Sequence, residues 1–162
     1  MEMQSLRIRP ALPADLDTLV ALLQVLFAIE ADFTPDPERQ RQGLMRFLDG
    51  CGKHRCLLVA ETEKVVVGMA SLQTLISTAE GGWVGLVEDV VVHEDYRGRG
   101  VGRSLMGAVT EWAVAHGLTR LQLLADRDNR AGLDFYRSIG WQATQLICLR
   151  KTEFESVHRG PR

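Results

Sequence analysis

The stretch Val87-Glu88-Asp89-Val90-Val91-Val92-His93-Glu94-Asp95-Tyr96-Arg97-Gly98-Arg99-Gly100-Val101-Gly102-Arg103 decides the fold. An apolar, Val-rich run ends in a loop holding three arginines and three glycines within seven residues, and helical periodicity begins directly behind it. Glycines let a backbone approach a ligand closely, and the first N–H groups of a helix have no partner inside it. Arginines add charged forks that match phosphate oxygens. The segment therefore reads as an anion cradle between a strand and a helix.

Two other phosphate loops fit less well. A P-loop needs a lysine before its Ser or Thr, whereas Gly102 is followed by Arg103 and Ser104. A dinucleotide fingerprint needs Gly-x-Gly-x-x-Gly, but the glycines fall at 98, 100 and 102. Asp126 stands at about the distance of a ribose-binding acid and favours that rival. Only about sixty residues remain after Gly102, however, too few for a full doubly wound sheet.

The flanking sequence gives the elements around the cradle. Leu6 to Arg9 reads as a strand ended by Pro10, and Leu16, Leu19, Leu22, Leu23, Leu26 and Phe27 recur at helical spacing. Pro35 and Pro37 open a second helix that Gly50 and Gly52 stop. Cys56–Ala60 and Val65–Ala70 read as a hairpin, with Leu72 to Ile76 extending its second strand. Trp83 to Val92 is apolar on both alternating faces and should be central. The helix after the cradle carries Leu105, Met106, Val109, Trp112, Ala113 and His116 before Gly117. Leu121 to Ala125 reads as a strand, Asn129 starts a fourth helix ending at Gly140, and Gln142 to Lys151 reads as a last strand. The order is β-α-α-β-β-β-α-β-α-β, an α/β domain with a mixed sheet.

At 162 residues and 46% hydrophobic, the chain has the size and apolar content of one ordinary domain. A net charge of −2 gives no global basic surplus, which argues against nucleic acid or an anionic membrane as partner. Cys51, Cys56 and Cys148 cannot all pair, and nothing completes a zinc site with the first two, so no metal is expected. The amino terminus lacks a signal-peptide core and no apolar run approaches the ~20 residues of a membrane span. A cytoplasmic setting follows as the expectation. Residues 156–162 show no apolar periodicity and read as a frayed tail.

The order Arg-x-x-Gly-x-Gly from Arg97 to Gly102 resembles the acetyl-CoA motif of the GNAT superfamily of N-acetyltransferases. A second anchor, Asn129 through Phe135-Tyr136 to Gly140-Trp141, resembles that superfamily's closing segment, and the element order matches its fold over residues 5–151, leaving 152–162 as a tail. The resemblance implies acetyl-CoA as co-substrate and an amine as acceptor. Its implied cofactor contacts are Val90, Val91 and Val92 on the strand, then Arg97, Gly98, Arg99, Gly100, Val101, Gly102, Arg103 and Ser104, with Asn129 and Tyr136 from the closing segment. Tyr136 would protonate the departing thiolate, and Asn129 serves equally as a helix cap.

A primary amine with a pKa near ~10 is almost wholly protonated at neutral pH, so a base is expected. Glu88 and Asp89 are adjacent carboxylates in an otherwise apolar strand, where burying a charge is costly unless it is paired or functional. Adjacent strand residues point to opposite faces, so one of them should face the reacting carbonyl unless the strand bulges. Glu88 is the expected base, on its resemblance to the Glu-Asp pair of the polyamine and glucosamine-phosphate branches, with Asp89 steering the amine. Phe27, Glu30 and Asp32, at and after the end of the first helix, are the expected acceptor-side lining. The leading acceptor is a small cationic amine: a polyamine, amino acid, aminosugar or aminoalkyl phosphonate. Protein acetylation and CoA sensing without turnover are the alternatives. The apolar Leu146 to Leu149 suggests a homodimer built through the last strand.

Overall fold

The computed structural model describes residues 5–154. The chain forms β1 (Arg7–Pro10), α1 (Leu16–Ile29), α2 (Pro37–Asp49), β2 (Arg55–Thr62), β3 (Val65–Ser77), β4 (Gly82–Val92), α3 (Val101–Ala115), β5 (Leu121–Leu123) and α4 (Arg130–Ser138). The sheet order is β1-β2-β3-β4-β5, antiparallel through β4 and parallel between β4 and β5. The tail at 156–162 lies outside the described residues.

Each sheet face has its own core. Val67, Leu72 and Val87 meet Leu105, Met106 and Val109 of α3, while Leu57, Val59, Met69 and Val91 meet Leu19, Leu22 and Leu23 of α1 and Leu44 of α2. Full burial of side chains such as Leu105 and Leu19 contributes about 1.5–3 kcal/mol each. Local chemistry fixes the ends: the Asp36 carboxylate accepts from the Arg39 N–H at 3.2 Å with Pro37 in the first turn of α2. Glu63 and Lys64 both take positive φ, as a two-residue hairpin turn requires.

Three expectations are corrected. β1 runs from Arg7 to Pro10 rather than from Leu6 to Arg9, with Pro10 as its last residue, because β1 is an edge strand and tolerates a missing donor. β5 stops at Leu123, not Ala125: Leu124 is exposed and the chain turns away through Asp126, whose side chain accepts from the Asp128 N–H at 2.8 Å. Residues 142–151 form no strand, and the order ends β-α. Leu146, Ile147 and Leu149 are 88%, 74% and 86% exposed. Their apolar pattern asks for a neighbouring strand, and the outer edge of the three-residue β5 carries none among the described residues. β4, expected to be central, lies between β3 and β5, but β5 covers only Gly85 to Val87. From Glu88 onward β4 presents an open edge.

Candidate active site

The strand-to-helix loop has the geometry of an anion cradle. Gly98 and Gly100 take φ of 71° and 83°, and a Cβ at either would meet open space within 4 Å, so the backbone there is bare on the approach side. Gly100 caps α3, and the first return bond of the helix, Ser104 N–H to Gly100 O at 3.0 Å, leaves the N–H groups of Val101, Gly102 and Arg103 without intrahelical acceptors. Val101 anchors the turn in the core, while Arg103 and Ser104 are exposed. The arginines divide their work. Arg97 donates from Nε to the Val92 carbonyl at 2.9 Å and pins the loop to the end of β4, whereas Arg99 lies over the Tyr96 ring at 5.5 Å.

Gly102 has a different reason to be glycine. A Cβ there would sit 3.1 Å from the Phe135 ring, so the residue lets α4 seat against the start of α3. Tyr136, next along α4, packs against Trp141 with ring centroids 6.0 Å apart and lies within the field of Glu30. Asn129 caps α4 by accepting from the Gly132 N–H at 3.0 Å. The side chain of Val91 fills the α1 core and Val91 pairs with Met69, so its backbone faces β3 like that of His93, which donates to the Val67 carbonyl; the backbone groups of Val90 and Val92 alternate toward the open edge of β4, where the Val92 carbonyl accepts from Arg97.

Beside this edge the acids gather. Glu30 ends α1 as its C-cap, and its carboxyl is raised by burial and then by the charges of Asp89, Asp126, Asp32 and Glu88. The Asp126 carboxylate holds the Ala31 N–H at 3.2 Å, tying the end of α1 to the turn after β5. Tyr136 is pushed up to about 12 by burial and then by the Glu30 charge, so its hydroxyl keeps its proton at neutral pH. Phe27 packs against Phe33 with ring centroids 5.1 Å apart, at the edge of the α1-side core.

The Glu88–Asp89 pair departs from strand geometry. Ser71 pairs with Glu88 and Met69 with Val91, so Asp89 and Val90 together oppose Ala70 in a β-bulge. Asp89 takes φ 51°, and its Oδ2 lies 3.3 Å from the Ser71 hydroxyl. Ser71 shares a face of β3 with Met69, which packs against α1, so Asp89 is turned toward α1 and Glu30. Glu88 is exposed and Asp89 is half-buried. Sequence reading missed Ser71, which is eighteen residues from Asp89. It also weighed Asp126 only as a ribose ligand; no local pattern marks either residue.

No group of three or more metal-binding side chains clusters among the described residues, and no described helix is long and apolar enough to cross a membrane.

Comparison with known proteins bears on the family and the fold. An uncharacterized N-acetyltransferase of Methanocaldococcus jannaschii is 28% identical over 72 residues, 44% of this chain but only 32% of that protein. A solved structure from Agrobacterium tumefaciens, assigned as an acetyltransferase, is 28% identical with a TM-score of 0.74, covering 90% of this chain and 99% of that one. An aminoglycoside N-acetyltransferase solved in complex with CoA shares the fold at 17% identity and a TM-score of 0.78, covering 94% of this chain and 98% of that one. The family model described as the acetyltransferase (GNAT) family matches residues 22–141, most of the domain, and the chain belongs to that family.

Proposed function

We propose that this protein moves an acetyl group from acetyl-CoA directly to a primary amine of a small cationic molecule. The observation that carries the reading is the split sheet: β4 and β5 part after Val87, and the open edge of β4 then carries Glu88 and Asp89, whose charges act on Glu30 beside Tyr136, before the chain runs into the phosphate cradle. The cradle fits a pyrophosphate through the N–H groups at the start of α3, with Arg99 and Arg103 beside them. The open edge of β4 suits a pantetheine arm bonded as an added strand through Val90 and Val92. Acetyl-CoA supplies the activated acyl group there.

The carboxylates do three things for an amine. Glu30, Asp32, Asp89 and Asp126 attract a cation and hold it near the thioester. One carboxylate of the Glu88–Asp89 pair takes a proton so that the nitrogen lone pair is free to attack. Tyr136, still protonated, donates to the departing sulfur. The acidic cluster favours acceptors with more than one ammonium group, such as polyamines or amino sugars. The aminoglycoside enzyme that shares the fold takes its name from such a molecule.

Two companion features belong to the same reading. Cys51, Cys56 and Cys148 are free thiols, in keeping with a reducing cytoplasm. The exposed segment at 142–151 and the bare edge of β5 would cover each other between two copies, making a homodimer.

The test is acetyl-CoA-dependent thiol release across polyamines, amino acids, aminosugars, aminoalkyl phosphonates and short peptides at pH 7 to 9. Release with a di- or polyamine is the expected result. Silence with every small amine overturns the proposal, and release with peptides alone reassigns the acceptor to protein.

A further inference from the structure

We infer that Asp89, held at the bulge of β4 and bonded to Ser71, is the carboxylate that takes the proton from the acceptor amine, with Ser71 as its positioning residue. The inference rests on the acetyl-transfer reading and moves the base from Glu88, where the sequence puts it, to the next residue.

The bulge comes first. Among the described residues, Asp89 is alone in taking a positive φ within a strand: Ser5 lies before β1, and Glu63 and Lys64 form the hairpin turn. A non-glycine residue in that region is strained, and strain of this kind persists where the surroundings over-determine it. Here the consequence is visible. In regular pleating Asp89 would face the α3 side with Val87; the bulge turns it to the α1 side, beside Ser71 and within the field of Glu30.

Ser71 then sets the chemistry. Its side chain is 1% exposed, and its hydroxyl reaches two acceptors, the Glu88 carbonyl at 3.0 Å and Asp89 Oδ2 at 3.3 Å. One hydroxyl has one hydrogen. When Asp89 is ionised, the two acceptors compete for it. When Asp89 is protonated, its own O–H can donate to Ser71, whose hydrogen is then free for the Glu88 carbonyl, and every group is satisfied. The site thus accommodates the carboxyl in both protonation states with little rearrangement, which is what a proton acceptor needs. Glu88 is exposed to water and has no such partner among the described residues.

The surrounding charges point the same way. The ionisable groups acting on the cluster are Glu88 on β4, Glu30 at the end of α1, Asp32 beyond it, Asp126 after β5 and Tyr136 on α4. Among the described residues no lysine or arginine forms an ion pair with Glu30, Glu88 or Asp89. An ammonium entering this cluster supplies the missing charge. Burial, then the Glu88 charge, push Asp89 up to about 6, against the pull of Ser71. A base at that value is ionised at neutral pH yet takes a proton more readily than an exposed carboxylate.

The step balances. Asp89 takes one proton from the ammonium, leaving a neutral amine. The nitrogen lone pair bonds to the thioester carbonyl carbon and the carbon–sulfur bond breaks. Tyr136 gives its proton to the leaving sulfur and is reprotonated by the second proton of the acetylated nitrogen. Asp89 returns its proton to water, so one proton is released for each amide and thiol formed.

The experiment compares wild type, Asp89→Asn, Glu88→Gln and Ser71→Ala in kcat/KM for thiol release between pH 5 and 10, with the best amine of the panel. Asparagine tolerates the left-handed region, so Asp89→Asn keeps the bulge; thermal melting and CoA binding verify it. Wild type should rise through about pH 6 to a plateau. Asp89→Asn should lose roughly 100-fold or more at pH 7 and recover about tenfold per pH unit toward the amine's own pKa. Glu88→Gln should raise KM and move the acidic limb to lower pH, because a neighbouring negative charge is gone. Ser71→Ala should move it to higher pH, because a hydrogen bond to the ionised form is gone. Should Asp89→Asn fail to fold, these opposite shifts carry the test. An unchanged plateau in Asp89→Asn, or loss of the limb in Glu88→Gln alone, overturns the assignment while leaving acetyl transfer intact. Silence of the wild type with every amine overturns both.

Discussion

Replacing Gly100 by alanine separates the two duties of the cradle, its fold and its ligand. The residue sits at φ 83°, ψ 0° as the cap of α3, and a Cβ there would meet nothing within 4 Å. Steric overlap therefore contributes nothing to the cost. What remains is the left-handed backbone itself, about 1–2 kcal/mol for a non-glycine residue. For a domain of this size that is a fall in Tm of roughly 2–8 °C. The ligand side is larger. The new methyl stands where a phosphate must approach the N–H groups of Val101 to Arg103, and each charge-assisted hydrogen bond lost costs about 1.5–3 kcal/mol. The dissociation constant for CoA should rise roughly 10- to 100-fold per bond lost. Calorimetric titration with CoA and with pantetheine, which lacks the pyrophosphate, checks the reasoning: the first should weaken and the second should hold. Gly98→Ala, with φ 71° and equally open space, should behave alike. Gly107→Ala on the exposed face of α3 should leave both affinities alone and raise stability by about 0.4–1 kcal/mol. Equal weakening toward CoA and pantetheine, or no weakening toward CoA, refutes the cradle.

Four further outcomes are expected. Tyr136→Phe should lower kcat by roughly 100-fold while CoA binding by calorimetry stays within a few-fold, since the ring remains and only the proton donor is lost. Arg9→Met should cost about 2–4 kcal/mol in chemical denaturation, because Arg9 reaches Asp15 at 2.8 Å and Glu61 at 2.7 Å and its loss strands a buried Asp15. The Arg9 hydrogen bond holds the Asp15 carboxyl below its usual range, so this contribution is present above about pH 4 and is lost as pH falls through the folded value. Asp89 runs opposite: its folded value of about 6 lies above the unfolded one, so the native state binds more protons and stability falls between about pH 4 and pH 6. Asp89→Asn should accordingly melt higher than wild type at pH 7, by on the order of 1–3 kcal/mol, and equally at pH 4. Leu146→Asp with Leu149→Asp should turn a dimer into a monomer by sedimentation; a monomeric wild type refutes the strand-exchange dimer.

What the sequence made legible was set by short-range chemistry. Helical spacing in Leu16 to Phe27 and in Leu105 to Ala113, the two-faced apolar run of β4 and the glycines of the cradle each act within a few residues, and all appear in the fold. The last strand was misread because residues 142–151 carry the apolar pattern of a strand, but a pattern does not supply the neighbour whose edge must accept it. The bulge was illegible for a related reason. Nothing in Val87-Glu88-Asp89-Val90 marks a positive φ; the offset arises from how β4 pairs with β3, and Ser71 is placed by that register alone. Glu30, Asp126 and Tyr136 lie about a hundred positions apart at most and meet only because α1, the turn after β5 and α4 end at one gap.

That meeting explains why the site is built on an unfavourable arrangement. The stable choice for the open edge of β4 would be a paired β5 and apolar side chains at 88 and 89. Instead the ladder stops at Val87, a strained residue is kept at 89, and several acids share one electrostatic neighbourhood without an ion-pairing lysine or arginine at Glu30, Glu88 or Asp89 among the described residues. Each feature lowers the stability of the free protein, and each is relieved by the same event. On the proposed function, a pantetheine arm would complete the open edge with hydrogen bonds, and an ammonium would neutralise the acids. Thermal stability should therefore rise more with CoA and a diamine together than the sum of the two separate rises predicts. A merely structural acidic surface would give a simple sum, and that result would count against a shared site.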